Sequence, residues 1–567
     1  MADEPPALSL WVMGVLGVLV GIIGGFGAVV FRMMIGFFHN LLFLGNFSLY
    51  YDASVHTPPG PWGPGVILVP VLGSIGVVFL VKTFAPEAKG HGVPEVMDAI
   101  YYNDGRIRPM VAVVKSLASA LSIGSGGSVG REGPIIQIGA AFGSTLGQWV
   151  RMPACQRVNL IAAGAGAGIA ATFNTPLGGV VFAMELMMTS IRARTILPVF
   201  IATATATYIG RVFLGMDPAF DIPALTEAPV QPINFYVLPI LLGFGLVLGF
   251  VAALFVKSIY WTEDLFDRMP GNQYTRHMFG MLIVGVMIYL LMEKAGHYYV
   301  QGVGYATIGD ILSGILSSPW FLILLVALKL LATALTLGSG ASGGVFSPGL
   351  FIGAGLGGCL GAMMQSIDSN FPIEPSLFAV AGMAAMIGGT TGAVATGSVM
   401  IFEMTRDLHA VLPVLITVAV CTAVRKRLCP ASIYTMKLLR RGKAVPEGMA
   451  SAMPRAETAE ILMEREFKSV GPHEEASGQL EVVLEGDRIS GVRGEILGTR
   501  EGELERRFVC LPKTATVVDV MASLHRADAR VVMVMREGTD GLAVNLVGVL
   551  TLERVMASMG GIAHLYQ

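Results

Sequence analysis

Glu132 follows Arg131 inside IGSGGSVGREGPIIQIGAAFG, residues 123–143, a glycine-rich turn with apolar residues on both sides. A carboxylate can accept hydrogen bonds, compete with a diffusing anion for its seat, and take up a proton. At bilayer depth a charge costs about 2.5–3.5 kcal/mol on insertion scales, so something in the turn must offset it. Glycine leading into proline marks a helix start, and GREGP (130–134), GGVFSP (343–348) and GHGVPEV (90–96) all have that form. Helices are therefore expected to open at Pro134, at Pro348 and near Pro94. A helix N-terminus offers unpaired N–H groups and the positive end of a dipole, which together bind anions. Three such starts meeting at mid-membrane would form an anion site built mostly from backbone. The same amides would hold a tethered carboxylate. Backbone outside helix geometry is tolerated at that depth only where it lines a cavity or is buried in protein.

The elements that must position these loops are membrane helices. Of 567 residues, 53% are hydrophobic and 14% charged, and the mean hydropathy is +0.67; an ordinary soluble domain carries roughly 25% charged residues. The charges are unevenly spread. Residues 440–567 hold 16 basic and 19 acidic side chains, and the preceding 439 hold the other 43 of 78. A membrane body over 1–439 and a soluble tail over 440–567 are expected. Twelve apolar segments run from 8–49 to 409–424, and several fall short of a simple span or are broken by glycine or proline. Such unevenness fits a transporter or channel whose helices stop partway across. The cluster Arg425-Lys426-Arg427 after the last segment favours a cytoplasmic tail. MADEPPALSL lacks the features of a signal peptide, so the run from Leu8 reads as a retained helix.

Several classes are set aside. The net charge of −2 comes with no basic patch, so no nucleic-acid partner is expected. The five cysteines are scattered and suggest neither a disulfide framework nor a metal site. GSGASG (338–343) formally matches a dinucleotide motif, but it lies within membrane segments rather than a βαβ unit. No Walker lysine motif or HExxH occurs. Neither an enzyme nor an ATP-driven pump is expected, and no cofactor.

The chain also repeats itself. Residues 115–147 and 329–361 align without gaps at an offset of 214, with 17 of 33 positions identical. GHGVPEV echoes GVGYATI (302–308), and FNTPLGGVVFAMEL (173–186) echoes GAVATGSVMIFEM (392–404), with Glu185 matching Glu403. The membrane body thus reads as two related halves, and opposite insertion of the halves would bring their loops together near the midplane. Gly139, Gly143 and Gly147, at spacing four, also suit close helix packing. Packing alone accounts for neither Arg131-Glu132 nor the Pro134/Pro348 pair.

GHGVPE, GREGP and GGVFSP, in this order and followed by Tyr434, resemble the signature of the CLC family of chloride channels and proton-coupled anion exchangers, in its bacterial form. The resemblance covers roughly residues 10–440. It implies an all-α polytopic membrane protein with two inverted-topology repeats and broken helices, plus a small C-terminal cytoplasmic α/β domain. It also implies a homodimer in the cell (inner) membrane, with a separate anion path in each subunit. Carried over by position, the amides of Val345 and Phe346 would face a central anion and Tyr434 would donate its hydroxyl to it. The backbone of Gly90, His91 and Gly92 would line the site, and Arg131 to Gly133 would shape an outer one. Glu132 would be the gate, occupying an anion site when charged and leaving it when protonated or displaced.

Two positions depart from the family pattern. His91 stands where chloride-selective members usually have serine and nitrate-preferring plant members have proline; it could add pH dependence or favour bicarbonate or nitrate. Leu186 stands where many exchangers have their inner proton-transfer glutamate. Either water or Glu185 then provides the inner route, or the protein is a passive anion channel. The expectation is proton-coupled chloride or anion exchange gated by Glu132.

In the tail, QLEVVLEGDRISGVRGE (479–495) alternates as two strands around Gly486. Residues 508–558 read as a helix at 517–526, strands at 530–535 and 546–550, and a closing helix, an order resembling a CBS motif. The tail is expected to be a CBS-like regulatory domain. CBS pairs often bind adenine nucleotides, but no residues here assign such a site.

Overall fold

The computed structural model describes residues 7–189, 191–217, 219–220, 237–368, 374–406, 410–443, 445, 458–472, 480–494, 504–515, 517–536 and 541–558. The chain divides into two compact units, Met1–Met188 with Arg192–Gly448, and Met449–Gln567 with Thr189–Ile191. Among the described residues, the helices of the first unit form two series of eight. The first is α1 (Leu10–His39), α2 (Val69–Phe84), α3 (Val93–Tyr102), α4 (Pro109–Gly124), α5 (Glu132–Trp149), α6 (Ala154–Phe173), α7 (Pro176–Phe182) and α8 (Ala193–Leu214). The second is α9 (Val237–Arg268), α10 (Gln273–Ala295), α11 (Tyr305–Leu312), α12 (Pro319–Ser339), α13 (Phe346–Ile367), α14 (Pro375–Thr391), α15 (Val394–Thr405) and α16 (Val411–Leu428). A short α17 (Thr435–Leu439) follows. Seven helical segments among the described residues are long and apolar enough to cross a membrane. α3, α7, α11 and α15 are too short for that.

Each helix has its counterpart eight places on, and the breaks match as well. The apolar run at 158–188 divides at Asn174 (φ 60°), and the run at 376–403 divides at Gly392 (φ 78°). Both residues are left-handed C-caps, each leading into a short helix. α5 and α13 begin at Glu132 and Phe346, two residues ahead of the prolines expected to open them. Proline is tolerated there because first-turn N–H groups have no partner within the helix. Glu132 is consequently the first residue of a helix rather than part of a preceding loop. The glycine stripes are packing surfaces in both halves. Gly139 and Gly143 of α5 lie against the carbonyls of Gly164 and Leu160, and Gly353 and Gly357 of α13 lie against those of Gly382 and Phe378. A Cβ at any of the four would overlap backbone.

The halves meet at their glycine loops. Gly130 and Gly344, equivalent at the offset of 214, exchange hydrogen bonds of 2.8 and 2.6 Å in an antiparallel bridge. The chain therefore runs in opposite senses through equivalent residues, as inverted repeats require. Two buried lysines brace the loops symmetrically. Lys115 Nζ donates to the carbonyls of Ala88 (3.0 Å) and Gly90 (2.6 Å), and Lys329 Nζ donates to those of Val300 (3.0 Å) and Gly302 (2.8 Å). Neither lysine has solvent exposure.

Among its described residues, the second unit holds two three-stranded sheets of the same topology. β1 (Lys468–Val470) pairs parallel with β2 (Glu481–Glu485), which pairs antiparallel with β3 (Arg488–Arg493). β4 (Phe508–Pro512) pairs parallel with β5 (Val531–Met535), which pairs antiparallel with β6 (Leu546–Thr551). The helices α18 (Ala459–Leu462), α19 (Val517–Arg526) and α20 (Leu552–Ser558) accompany them. The turn expected at Gly486 joins β2 to β3, with φ 64° there. Val482 and Val492 of one sheet share an apolar cluster with Val531 and Met533 of the other.

Candidate functional site

The starts of α3, α5 and α13 converge. A Cβ on Gly133 would run into the His91 carbonyl and lie 3.1 Å from Gly344 Cα, so residues of all three motifs touch at one point. Gly90 is tied to the third loop by hydrogen bonds from its N–H to the Ala341 carbonyl (2.9 Å) and from the Gly343 N–H to its own carbonyl (3.2 Å). Glycine is required at Gly92, the residue before α3, where φ is 86° and the backbone abuts Gln137 and Lys115.

Glu132 is fully buried in this cluster. Its Oε1 accepts from the Tyr305 hydroxyl at 2.8 Å and from the Ser347 hydroxyl, while Ser347 N–H lies 3.3 Å from Oε2. The two hydroxyls also meet at 3.1 Å. The side chain of the first residue of α5 is thus held by the first turn of α13, the counterpart helix. Gly130 makes room for it, since a Cβ there would overlap Glu132 Oε2 and lie 3.1 Å from Ser347 Oγ. A glycine turn around a buried carboxylate therefore has a steric reason as well as an electrostatic one.

The amides of Val345 and Phe346 have no hydrogen-bond partner among the described residues, nor does that of Gly133. Such N–H groups at two adjoining helix starts attract negative charge. The Phe346 ring packs 5.7 Å from that of Phe173. Tyr434 is buried with its ring 5.8 Å from that of His91, and its hydroxyl has no hydrogen-bond partner among the described residues. His91 Nε2 lies 3.4 Å from the Tyr260 hydroxyl.

Arg131 does not pair with Glu132. Its guanidinium lies over the Tyr305 ring, 5.1 Å from the centroid, and its Nε is buried without a partner among the described residues. Glu185 lies outside the Glu132 hydrogen-bond network. Its carboxylate accepts from the N–H groups of Ala395 (3.2 Å) and Thr396 (2.8 Å) and from the Thr396 hydroxyl (2.8 Å), capping α15. Glu403 returns the favour at α7, accepting from Leu177 N–H (3.1 Å) and Gly178 N–H (2.6 Å). Each glutamate caps the counterpart helix, which suits the helix dipole. Leu186 is buried beside Glu185.

Sequence reasoning missed Tyr305 and Ser347. A signal for both was present, because they stand opposite Val93 and Gly133 in the repeat and put a hydroxyl where the other half has none.

A family model described as "Voltage gated chloride channel" matches residues 73–426. The H(+)/Cl(-) exchange transporter ClcA of Yersinia pseudotuberculosis serotype IB is 31% identical over 447 residues, which make up 77% of this chain and 88% of that protein. ClcA of Salmonella agona is 30% identical over 449 residues, covering 77% and 89%. Among solved structures, a slow cyanobacterial Cl-/H+ antiporter aligns with a TM-score of 0.65 at 24% identity, over 77% of this chain and 99% of that one. A eukaryotic CLC transporter aligns at 0.63 and 21% identity over 96% and 98%, so its likeness in fold extends into the tail.

Proposed function

Since the chain belongs to the CLC family of voltage-gated chloride channels and exchange transporters, we propose that it exchanges chloride or a related small anion for protons across a membrane, with Glu132 as the gate. The supporting observation is the seat of Glu132, a buried carboxylate bonded to Ser347 N–H and two hydroxyls at the start of α13. A charged Glu132 occupies the place an anion would take beside the unpaired amides of Val345 and Phe346. Protonation removes the charge that those dipoles hold, and the side chain then yields to the anion. Anion entry and proton uptake are linked through one group. Gly90 to Gly92, Arg131 to Gly133 and Tyr434 complete the anion path in this reading.

A passive anion channel is the second reading, favoured by Leu186 and by the commitment of Glu185 to capping α15. His91 keeps bicarbonate and nitrate in view as substrates. The protein works as a homodimer with one path per subunit, in the cell (inner) membrane with its C-terminus in the cytoplasm. Residues 1–439 form the transport domain and 440–567 a CBS-like regulatory domain; the matching topologies of the two tail sheets support a pair of such motifs. No residues assign a nucleotide to it.

The test is flux in liposomes, with chloride and protons recorded together under a chloride gradient and no pH gradient. Uphill proton movement that is lost in Glu132→Gln establishes exchange. Chloride flux without protons establishes the channel. No chloride flux calls for the same assay with bicarbonate, nitrate and fluoride.

A further inference from the structure

His91 is a buried titratable group that the gate does not use. The residue is 3% exposed, and its Nδ1 has no hydrogen-bond partner among the described residues. Its other nitrogen, Nε2, faces the Tyr260 hydroxyl of α9 at 3.4 Å. That hydroxyl has a single proton and donates it to the Ile433 carbonyl at 2.6 Å. Toward the imidazole, Tyr260 can therefore only accept, so Nε2 bears the hydrogen. In the neutral ring Nδ1 is then a bare lone pair. A buried acceptor without a donor is costly, and a lone pair does nothing for an anion beside it.

The surrounding charges decide when that nitrogen can take a proton. From α4, Lys115 Nζ reaches the Gly90 carbonyl at 2.6 Å. From α17, Lys437 Nζ would stand 3.0 Å from a Cβ on Gly90. Arg441, just beyond α17, is the third cation whose charge bears on His91. Glu95 of α3 answers two of them, at 3.8 Å from Lys437 and 2.9 Å from Arg441. Tyr260 and Tyr434 bring uncharged hydroxyls, and Gln137 of α5, whose Oε1 would stand 2.6 Å from a Cβ on Gly92, adds no charge. The balance around the imidazole is positive. A further positive charge is opposed there until a negative one arrives.

We propose that His91 is a second proton acceptor of this protein, taking a proton on Nδ1 when an anion settles at the start of α3. Tyr260 is its positioning residue, fixing the tautomer that leaves Nδ1 free. One N–H bond forms for each proton taken from solution, and it breaks when the anion leaves. The inference rests on the anion path proposed above and deepens it; it does not depend on Glu132 acting as the gate.

The experiment removes Glu132 from the proton balance. Chloride is titrated into the purified full-length Glu132→Gln protein by calorimetry, in buffers of different ionisation enthalpy, which reads protons taken up per chloride bound. Uptake is expected in Glu132→Gln and is lost in Glu132→Gln/His91→Asn. In Glu132→Gln/Tyr260→Phe, uptake persists with its pH midpoint moved downward, because the imidazolium has lost the acceptor of its Nε2–H. This variant keeps the idea open to refutation if the asparagine variant does not fold. Chloride binding without proton uptake overturns the proposal, as does uptake unchanged by His91→Asn, a midpoint unmoved by Tyr260→Phe, or no chloride binding at all. The gate is judged separately by flux, so coupled transport surviving Glu132→Gln would remove that reading and leave this one to the calorimetry.

Discussion

At position 132 the first repeat has a glutamate, and at the matching position 346 the second has a phenylalanine. The other contrasts lie close by: His91 against Val303, Val93 against Tyr305, and Gly133 against Ser347. Elsewhere the halves share the contacts that build their scaffold. Lys115 and Lys329 brace equivalent carbonyls, Glu185 and Glu403 cap each other's counterpart helices, and Gly130 pairs with Gly344. The scaffold is duplicated, and the chemistry sits where the duplication is broken. A two-fold arrangement brings helix starts face to face, but a path needs a gate on one side and donors for it on the other. Glu132 held by Tyr305 and Ser347 meets that need, with the acceptor from one half and the donors from the other.

The comparison can be broken at its most unequal pair first. Glu132→Gln should reduce chloride-driven proton movement at least a hundredfold, whereas Phe346→Leu should keep it coupled; paired liposome fluxes read both. Equal loss in the two variants would mean the asymmetry does not lie in the carboxylate.

The braces should behave alike. Lys115→Met and Lys329→Met each leave two buried carbonyls without their donor, at a cost of about 1–3 kcal/mol per group. Thermal unfolding in detergent should show similar, large losses for both. A loss confined to one would show that the halves are not equally dependent on their braces.

The clasp on Glu132 comes next. A hydrogen bond to a charged group contributes about 1.5–3 kcal/mol, so Ser347→Ala or Tyr305→Phe should release the carboxylate more often. Chloride flux should rise on the order of tenfold with coupling retained or weakened; a fall would mean that these hydroxyls serve the anion rather than the gate.

The smallest effects are expected at the caps. Glu185→Gln and Glu403→Gln should each lower stability by about 1 kcal/mol, as lost N-caps do, and leave the proton-to-anion ratio unchanged. If Glu185→Gln alone abolishes proton movement, Glu185 has a transport role beyond its cap.

Much of this was legible in the residues. The helical membrane body follows from the apolar runs, and the repeat makes GREGP and GGVFSP converge once its halves are inserted in opposite senses. The helix starts were displaced by two residues, since proline is permitted through the first turn and so marks its neighbourhood rather than its edge. Arg131 lies over the Tyr305 ring, while Glu132, its neighbour in sequence, accepts from two hydroxyls. Neighbours in sequence at a helix start point in different directions, so adjacency does not make a pair.

The sequence by itself determined the membrane character, the duplication, and a carboxylate placed among helix starts, because hydropathy, internal identity and glycine-proline spacing are local properties. Which donors hold Glu132, which helix Glu185 caps, and which nitrogen of His91 is left bare were decided by tertiary structure alone. Those bonds join residues 173, 215, 211 and 169 positions apart. Only the folding of one half against the other brings them within reach.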